Sequence, residues 1–172
     1  MADQPLLEVT DLCLDCRLPN GEVQSLVRGL TLCLMEGASL GLLGESGSGK
    51  SLTALSLLGL LPPGVERTRG VIRFRGQELQ GLAESDLRHF RGGKIAMVFQ
   101  DPGTALNPVL RVGYQVEEVL RQHRSLEKEQ RRQEIIRLFE EVHLPNPEIS
   151  LQRYPHELSG GQRQRVMIAM AL

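Results

Sequence analysis

Apolar and polar residues alternate at the start of the chain in a way that predicts a β layer. Residues 6–14 follow the period of a strand with one buried face. Asn20-Gly21 comes next, and this dipeptide is typical of tight hairpin turns. Residues 23–35 resume the strand pattern as one strand or two, with Arg28-Gly29 between the parts. We therefore expect an antiparallel β layer near the N-terminus.

Two runs rich in apolar residues predict buried strands, and the second, which is continuously apolar, is typical of a strand buried on both faces. They cover residues 38–43 and 95–99. A helix is predicted over 52–58, directly after the first run, and Pro62-Pro63 ends it because proline interrupts a helix. A short alternating run at 70–75 predicts one further strand. Together these runs predict an α/β fold.

The second half of the chain has a helical pattern. A short helix is predicted over 85–90, a loop over 101–113 and a highly charged helix over 116–143. The apolar positions of the long helix recur at helical spacing: Ile135, Leu138, Phe139 and Val142. Glu127 and Arg131 are spaced as an i,i+4 ion pair. We interpret the charged residues as a solvated helix face.

Composition and charge narrow the functional classes. The chain has 172 residues, enough for one domain with its own core, and 41% of them are hydrophobic. A net charge of −1 argues against a nucleic-acid partner. The longest apolar stretch, residues 52–61, is too short to span a bilayer, and residues 1–5 lack the basic region of a signal peptide. We expect a cytoplasmic protein that reaches a membrane through a partner.

Three cysteines raise the question of a metal or redox site. Cys13 and Cys16 have C-x-x-C spacing, and Cys33 is the third. A metal or redox site would need further ligands nearby, and the sequence has no second pair. We favour buried, reduced thiols and keep the metal or redox site as the alternative.

A phosphate-binding loop is the clearest chemical motif of the chain. Between a predicted strand and a predicted helix, the residues fit G-x-x-x-x-G-K-[ST]: Gly44, Glu45, Ser46, Gly47, Ser48, Gly49, Lys50 and Ser51. Glycines let backbone N–H groups turn toward phosphate oxygens, and the helix N-terminus adds partial positive charge. Lys50 would reach the β- and γ-phosphates, Ser51 would hold Mg²⁺, and Leu52 would complete the site. A glycine-rich loop that matches by chance is the alternative.

A second candidate anion site lies near the end of the chain. Ser159-Gly160-Gly161-Gln162 opens a predicted helix that runs to Leu172. Ser159 can cap this helix, and the two glycines leave backbone N–H groups bare. Alone, a Ser-Gly-Gly turn is weak evidence of a site.

With the phosphate loop, the sequence Leu158-Ser159-Gly160-Gly161-Gln162 resembles the signature L-S-G-G-Q of the ATP-binding-cassette (ABC) ATPases. The resemblance runs from about Leu6 to Leu172. It implies that Gln100, after the second apolar run, touches the Mg²⁺ of the nucleotide and its water, while its loop meets a transmembrane partner. Unaided, a glutamine at a strand end is an ordinary polar terminator.

The resemblance implies a fold class: α/β, with a P-loop NTPase core of the ABC ATPase type, an antiparallel β layer and an inserted α-helical subdomain. Residues 1–36 would form the β layer, 37–100 the P-loop core, and 101–172 the helical subdomain that ends in the signature helix. ATP and Mg²⁺ are the implied cofactors. Lys50, Ser51 and Gln100 would act on the subunit's own ATP, and Ser159, Gly160, Gly161 and Gln162 on that of a second cassette, identical or different.

Further motifs are similar to the ATPases of bacterial dipeptide, oligopeptide and nickel importers. They are the P-loop, Phe99-Gln100-Asp101-Pro102, Leu106-Asn107-Pro108, and the run from Tyr154 to Leu172. The resemblance implies two permease subunits and an external substrate-binding protein as partners, no nucleic acid, and a cytoplasmic site on the inner face of the membrane.

Two departures from the family pattern change the expectation. No acidic residue follows Glu157, so the Asp-Glu that orders Mg²⁺ and the attacking water, and the later histidine, have no counterpart. We therefore expect a fragment in which the C-terminal part of the core is missing, with no catalytic residue assigned and weak hydrolysis. Cys16 occupies the position where the family stacks an aromatic on adenine, so we expect weak discrimination between ATP and GTP.

Two alternatives to an importer ATPase remain open at this point. One is a truncated, catalytically silent nucleotide-binding module that pairs with a full-length subunit or has no role. The other is a soluble ABC ATPase of DNA repair or translation, which would carry two cassettes or long insertions. Turnover with and without a full-length partner distinguishes the importer ATPase from the silent module.

Overall fold

Four antiparallel strands organise the first half of the chain in the computed structural model, which describes residues 4–101 and 105–172. The chain folds as two compact units that divide between Arg88 and His89. Two short segments lie outside the described residues. They are residues 1–3 of the predicted polar N-terminus and residues 102–104 of the predicted loop, which include Pro102 of the Phe99-Gln100-Asp101-Pro102 motif. The domain boundaries predicted at 36 and 100 remain a prediction.

The antiparallel β layer predicted from the sequence is confirmed. Its strands are β1 (Leu7–Arg17), β2 (Val23–Leu34), β3 (Val65–Phe74) and β4 (Gln77–Glu78), in the order β2-β1-β3-β4. The turn at Asn20-Gly21 joins β1 to β2, which is a single strand. The third strand begins at Val65 rather than at residue 70, because its first half pairs with β1 although it carries mostly polar side chains.

An irregularity in β1 explains one glycine of the sheet. The pairing of β1 with β3 shifts between Thr10 and Cys13, and Asp11 has a φ of 53° there. Gly70 lies opposite with a φ of 98°, and an added Cβ would lie 2.5 Å from the Cα of Leu12. Since no side chain fits in that space, glycine is required where the two strands approach most closely.

The predicted helices of the first unit are confirmed. Helix α1 (Lys50–Leu57) begins at the phosphate loop, and α2 (Glu84–Phe90) spans the division between the two units. Helix α1 ends before Pro62-Pro63, because Gly59 takes up a φ of 62° that a helix cannot continue. The buried apolar side chains of this part of the chain come from the sheet, from the end of α1 and from Leu79: Val9, Leu12, Leu14, Val27, Leu58, Ile72, Phe74 and Leu79.

The prediction of two buried strands at 38–43 and 95–99 was wrong. Neither run forms a ladder, although Ile95 makes an isolated bridge with Arg91. Leu43 is 95% exposed and Phe99 is 44% exposed. A strand forms only where a neighbour accepts its backbone hydrogen bonds, and no strand of the described residues pairs with either run. The apolar composition of the two runs therefore predicted buried strands, but no neighbouring strand of the described residues covers them.

The second unit is helical. It contains α3 (Val112–His123), α4 (Lys128–Glu141), the short α5 (Pro147–Ser150), a 3-10 turn (Pro155–Glu157) and α6 (Gly160–Ala171). Its core joins side chains from the three long helices with those of the connecting segments: Leu106, Val112, Val116, Leu120, Ile135, Leu138, Phe139, Leu144, Leu151, Leu158, Val166, Met167 and Ala169. Ile135, Leu138 and Phe139 are buried as predicted.

The single helix predicted over 116–143 is two helices. Helix α3 ends at His123, and α4 begins after Glu127, whose side chain accepts the N–H of Gln130. The Gln130 side chain in turn accepts the N–H of Glu127 at 2.9 Å. This reciprocal cap satisfies N–H groups that a helix start leaves free, so it favours a new start over a continuous helix. Glu127 and Gln130 carry the spacing that could have predicted the break.

The predicted ion pair of Glu127 with Arg131 was also wrong. Arg131 Nε lies 3.1 Å from Glu117 Oε1, so it links α4 to α3. The side chains of Arg131 and Glu117 are 16% and 21% exposed. These two charges therefore belong to a packed interhelical contact and not to a solvated face.

Residues 4–101 and 105–172 contain neither a membrane-spanning helix nor a metal-binding cluster. No helix there combines the length and the apolarity needed to cross a bilayer. No group of three or more histidine, cysteine or acidic side chains is arranged there to hold a metal ion. The thiols of Cys13, Cys16 and Cys33 are free, but the first two are half-buried and Cys33 is exposed, so the prediction of buried thiols was wrong.

Candidate nucleotide site and signature helix

The phosphate loop runs from Gly44 into the first turn of α1. Gly47 and Gly49 have φ angles of 81° and 89°, values that other residues adopt only with strain. Gly49 is the N-cap of α1, so the N-terminus of the helix opens directly onto the loop. The first N–H groups of a helix have no intrahelical acceptor and carry partial positive charge. The start of α1 thus offers N–H donors where the sequence predicted a phosphate site, while the Ser48 N–H is bonded to the Glu45 carbonyl at 3.2 Å.

Packing against the sheet fixes the end of the loop. An added Cβ at Gly49 would lie 2.7 Å from Val27 Cγ2 and 3.0 Å from the carbonyl oxygen of Leu26. The loop therefore rests on β2 with no room for a side chain. Thr53, buried one turn later, donates its hydroxyl to the Gly49 carbonyl at 3.0 Å. These contacts hold the start of α1 against the β layer.

Lys50 folds back over the loop that precedes it. Its Nζ donates to the carbonyl oxygens of Gly44 at 2.7 Å and Glu45 at 2.6 Å, and to Ser48 Oγ at 3.3 Å. The ammonium group is therefore held inside the curve of the loop by neutral oxygens. A phosphate oxygen is a stronger acceptor than these because a hydrogen bond between two charged groups is stronger.

The rest of the predicted site is open to solvent. Residues 44–48 and Ser51 are exposed, and Leu52 is half-buried. The Ser51 hydroxyl stands beside Lys50 in the first turn of α1, and an oxygen ligand of this kind suits a hard cation. Cys16, predicted to replace an adenine-stacking aromatic, is half-buried in β1 opposite Gln24 and Val65. The assignments of these residues to ATP and Mg²⁺ remain predictions.

The signature begins α6 with a reciprocal cap. Ser159 Oγ accepts the N–H of Gln162 at 3.3 Å, and Gln162 Oε1 accepts the N–H of Ser159 at 3.0 Å. Gly160 and Gly161 are exposed, and an added Cβ at either one would meet nothing within 4 Å. The capping role predicted for Ser159 is confirmed. The open glycines leave the first turn of α6 accessible to another molecule.

Buried side chains hold the signature in place. Leu158, directly before Ser159, is 3% exposed, and Val166 and Met167 anchor the next turns of α6 in the core of the second unit. Arg163 donates its Nε to the Leu158 carbonyl at 3.1 Å. The exposed, capped start of α6 is thus held by buried residues on both sides of it.

Gln100 lies in an exposed bend at the end of the second apolar run. The structure gathers Gly44 to Leu52 in the first unit, whereas Gln100 and the signature belong to the second. Within the described residues, the phosphate loop is thus a feature of the first unit, and the glutamine bend and the signature helix are features of the second.

Ion pairs lie within and between α3 and α4, the two helices that share a core with the signature helix α6. Burial would raise the pKa of Glu117, but hydrogen bonds from Arg131 and Arg121 outweigh it and hold the pKa below its ordinary value. A hydrogen bond from Arg137 lowers the pKa of Glu134, against a smaller effect of burial. Both carboxylates therefore stay ionised at neutral pH.

Gln115, a buried polar residue of the second unit, was not predicted from the sequence. Its side chain is hydrogen-bonded to the backbone of the loop that follows Gln100. A signal was present, because Gln115 lies on the apolar stripe formed by Val112, Val116 and Leu120. A polar residue on a buried stripe needs hydrogen-bond partners, which the irregular loop supplies.

Comparison with known proteins agrees with these features. The chain is 46% identical over 169 residues to the oligopeptide transport ATP-binding protein OppD of Bacillus subtilis, a match covering 97% of this chain and 47% of OppD. It is 47% identical over 174 residues to OppD of Salmonella typhimurium, covering 99% of this chain and 51% of that protein. The chain spans about half the length of the curated relatives it matches.

A solved structure and a family profile complete the comparison. The ATP-binding cassette MJ0796, in a dimeric post-hydrolysis state bound to ADP and Pi, matches with a TM-score of 0.84 and 27% identity over 96% of this chain and 68% of that cassette. The profile of the family described as ABC transporter matches residues 27–172. The chain therefore belongs to the ABC transporter family.

Proposed function

We propose that this chain binds ATP as part of the ATP-binding subunit of a bacterial importer for peptides. The phosphate loop carries the proposal: Lys50 Nζ is already held by three oxygens inside a loop whose glycines have positive φ and lead into the N-terminus of α1. Family membership supports the nucleotide, and relatives named oligopeptide and dipeptide transport ATP-binding proteins support the peptide class. Nickel is the other cargo that the sequence motifs suggested.

The nucleotide would bring Mg²⁺ with it. Ser51 offers a hydroxyl beside Lys50, and Gln100 offers a side-chain oxygen in an exposed bend, so both present ligands of the type that Mg²⁺ prefers. The ion, when bound, neutralises charge on the phosphate oxygens. Lys50 and the N-terminus of α1 would hold the phosphates, while Leu52 would pack at the base of the site.

A second cassette would complete the arrangement. The exposed start of α6, with Ser159, Gly160, Gly161 and Gln162, would face the ATP of that second subunit, identical or different. The dimeric cassette among the structural relatives supports such a pairing. Two permease subunits and an external substrate-binding protein would make up the importer, and the chain would lie on the cytoplasmic face of the membrane.

The first test is a titration of the chain with ATP and Mg²⁺. We expect binding to weaken at least about tenfold in Lys50→Ala, because the charge-assisted hydrogen bonds to phosphate are lost. Lys128→Ala, which removes an exposed lysine at the start of α4, is the matched control and should bind like the parent chain. Equal affinity of the two variants would contradict the proposed site.

The second test concerns the partner cassette. Phosphate release from ATP is measured for the chain alone, for OppD of Bacillus subtilis alone, and for their mixture. If the signature acts on a partner's ATP, the rate of the mixture exceeds the sum of the separate rates, and Gly161→Asp in this chain removes the excess. Strictly additive rates would contradict the pairing while leaving the binding site untouched.

A further inference from the structure

Gln115 connects the loop after Gln100 to the first turn of α3. Its Oε1 accepts the N–H of Asn107 at 2.9 Å, and its Nε2 donates to the carbonyls of Asn107 and Leu110 at 3.0 Å each. The side chain is 6% exposed. The backbone N–H and C=O groups of an irregular loop are not paired by a helix or a sheet. The Gln115 side-chain amide supplies hydrogen-bond partners for three of them.

The same helical turn also holds the segment that leads to the signature. The N–H of Val112 donates to the carbonyl of Arg153 at 2.9 Å, and the N–H of Gly113 donates to the carbonyl of Leu151 at 3.2 Å. A helix start leaves these N–H groups without an intrahelical acceptor, so the pre-signature segment serves as the cap of α3. An added Cβ at Gly113 would lie 2.6 Å from the Leu151 oxygen, so glycine alone fits there.

Side chains add to the backbone contacts. Arg111 donates from Nη1 to Gln152 Oε1, and its guanidinium lies 5.8 Å from the ring centroid of Tyr154. Leu106 of the loop and Leu158 beside the signature are both buried in one hydrophobic core. The loop after Gln100 and the segment before Ser159 therefore meet on the first turn of α3.

We propose that Gln115 is a positioning residue that ties the loop after Gln100 to the signature through the first turn of α3. This inference rests on the proposed function, in which Gln100 contacts the bound nucleotide and the signature contacts that of a partner. A displacement of the 106–110 loop would be carried to Ser159 through residues 112–113 and 151–158. An apolar residue at position 115 would fill the space but release the loop.

Hydrogen exchange of the ligand-free chain tests the connection without nucleotide. In Gln115→Met, a change of similar length, we expect the N–H of Asn107 to exchange about tenfold faster because its buried acceptor is lost. The N–H groups of Val112 and Gln162 should also exchange several-fold faster. The control is Ile135→Val, which loosens the same core. Denaturant is used to bring the two variants to equal global stability. In the control, these three amides should not exchange faster than the other amides of the unit.

The same exchange measurement can also contradict the role of Gln115. Faster exchange confined to the 106–110 loop, with Val112 and Gln162 unchanged, would overturn the proposal. If Gln115→Met fails to fold, Gln115→Glu keeps the acceptor for Asn107 but loses both donors, so the N–H groups of Val112 and Gln162 decide the question. ATP affinity of the parent chain is measured separately, so absence of nucleotide binding would overturn the proposed function while the exchange pattern still decides the role of Gln115.

Discussion

Val27 occupies the space that a side chain at Gly49 would need, since an added Cβ would lie 2.7 Å from Val27 Cγ2. This contact joins the antiparallel layer to the phosphate loop. It ties the shape of the loop to the packing of β2, so the site depends on the sheet and not on the loop sequence alone.

Gly49→Ala should destabilise the chain more than Gly47→Ala. Both positions have positive φ, at 89° and 81°, which costs an alanine about 1 kcal/mol. Only Gly49 adds a clash with Val27, since a Cβ at Gly47 would meet nothing within 4 Å. We expect a total loss of about 2–3 kcal/mol for Gly49→Ala in denaturant unfolding. Equal losses for the two variants would show that β2 does not confine the loop.

The β layer and the helix starts were predictable from sequence because their signals are local. Asn20-Gly21 fixes a hairpin turn, and Ser159 with Gln162 fixes a helix start. The runs at 38–43 and 95–99 were not predictable as strands, because strand formation depends on a neighbour that the local sequence does not specify. Arg131 illustrates the same limit, since its partner Glu117 is on another helix.

Arg131→Met should destabilise the helical unit more than Arg132→Met. Arg131 is 16% exposed and bonds Glu117 and the carbonyl of Leu126, whereas Arg132 is 56% exposed and pairs at 3.7 Å with Glu129. The loss of partly buried hydrogen bonds costs about 1–3 kcal/mol, while an exposed pair contributes about 0.5 kcal/mol or less. Denaturant unfolding of the neighbouring variants measures the difference. Equal losses would contradict the interhelical role of Arg131.

Acid should unfold the helical unit through Glu117 and Glu134. Since their pKa values in the folded chain are lowered, the unfolded chain binds protons first as the pH falls. Their contribution to the free energy of unfolding is complete above the ordinary carboxyl pKa, about 4.3. It is lost as the pH falls through the lowered pKa values of the folded chain. Helical circular dichroism at fixed denaturant follows this loss.

A matched pair of variants assigns that acid sensitivity. Glu134→Gln should flatten the fall in stability below about pH 5. Glu129→Gln, at the exposed start of α4, should leave the curve unchanged. Parallel curves for both variants and the parent chain would place the acid-sensitive groups elsewhere.

Ser159 should matter for the stability of the signature helix apart from any contact with nucleotide. Its Oγ accepts the N–H of Gln162, so Ser159→Ala removes an N-cap worth about 1 kcal/mol. Ser159→Gly should cost only a few tenths of a kcal/mol, because water reaches the freed N–H. Thermal unfolding of the two variants measures which of them loses more stability. Unchanged stability in Ser159→Ala would mean that the cap contributes little.

The central claim is that residues 44–52 bind the phosphates of ATP, and hydrogen exchange with and without Mg²⁺ and ATP tests it most directly. The account predicts slower exchange of the amides from Glu45 to Leu52, with no such protection in Lys50→Ala and full protection in Lys128→Ala. Unchanged exchange in this loop at saturating nucleotide, or protection that survives Lys50→Ala, would contradict it.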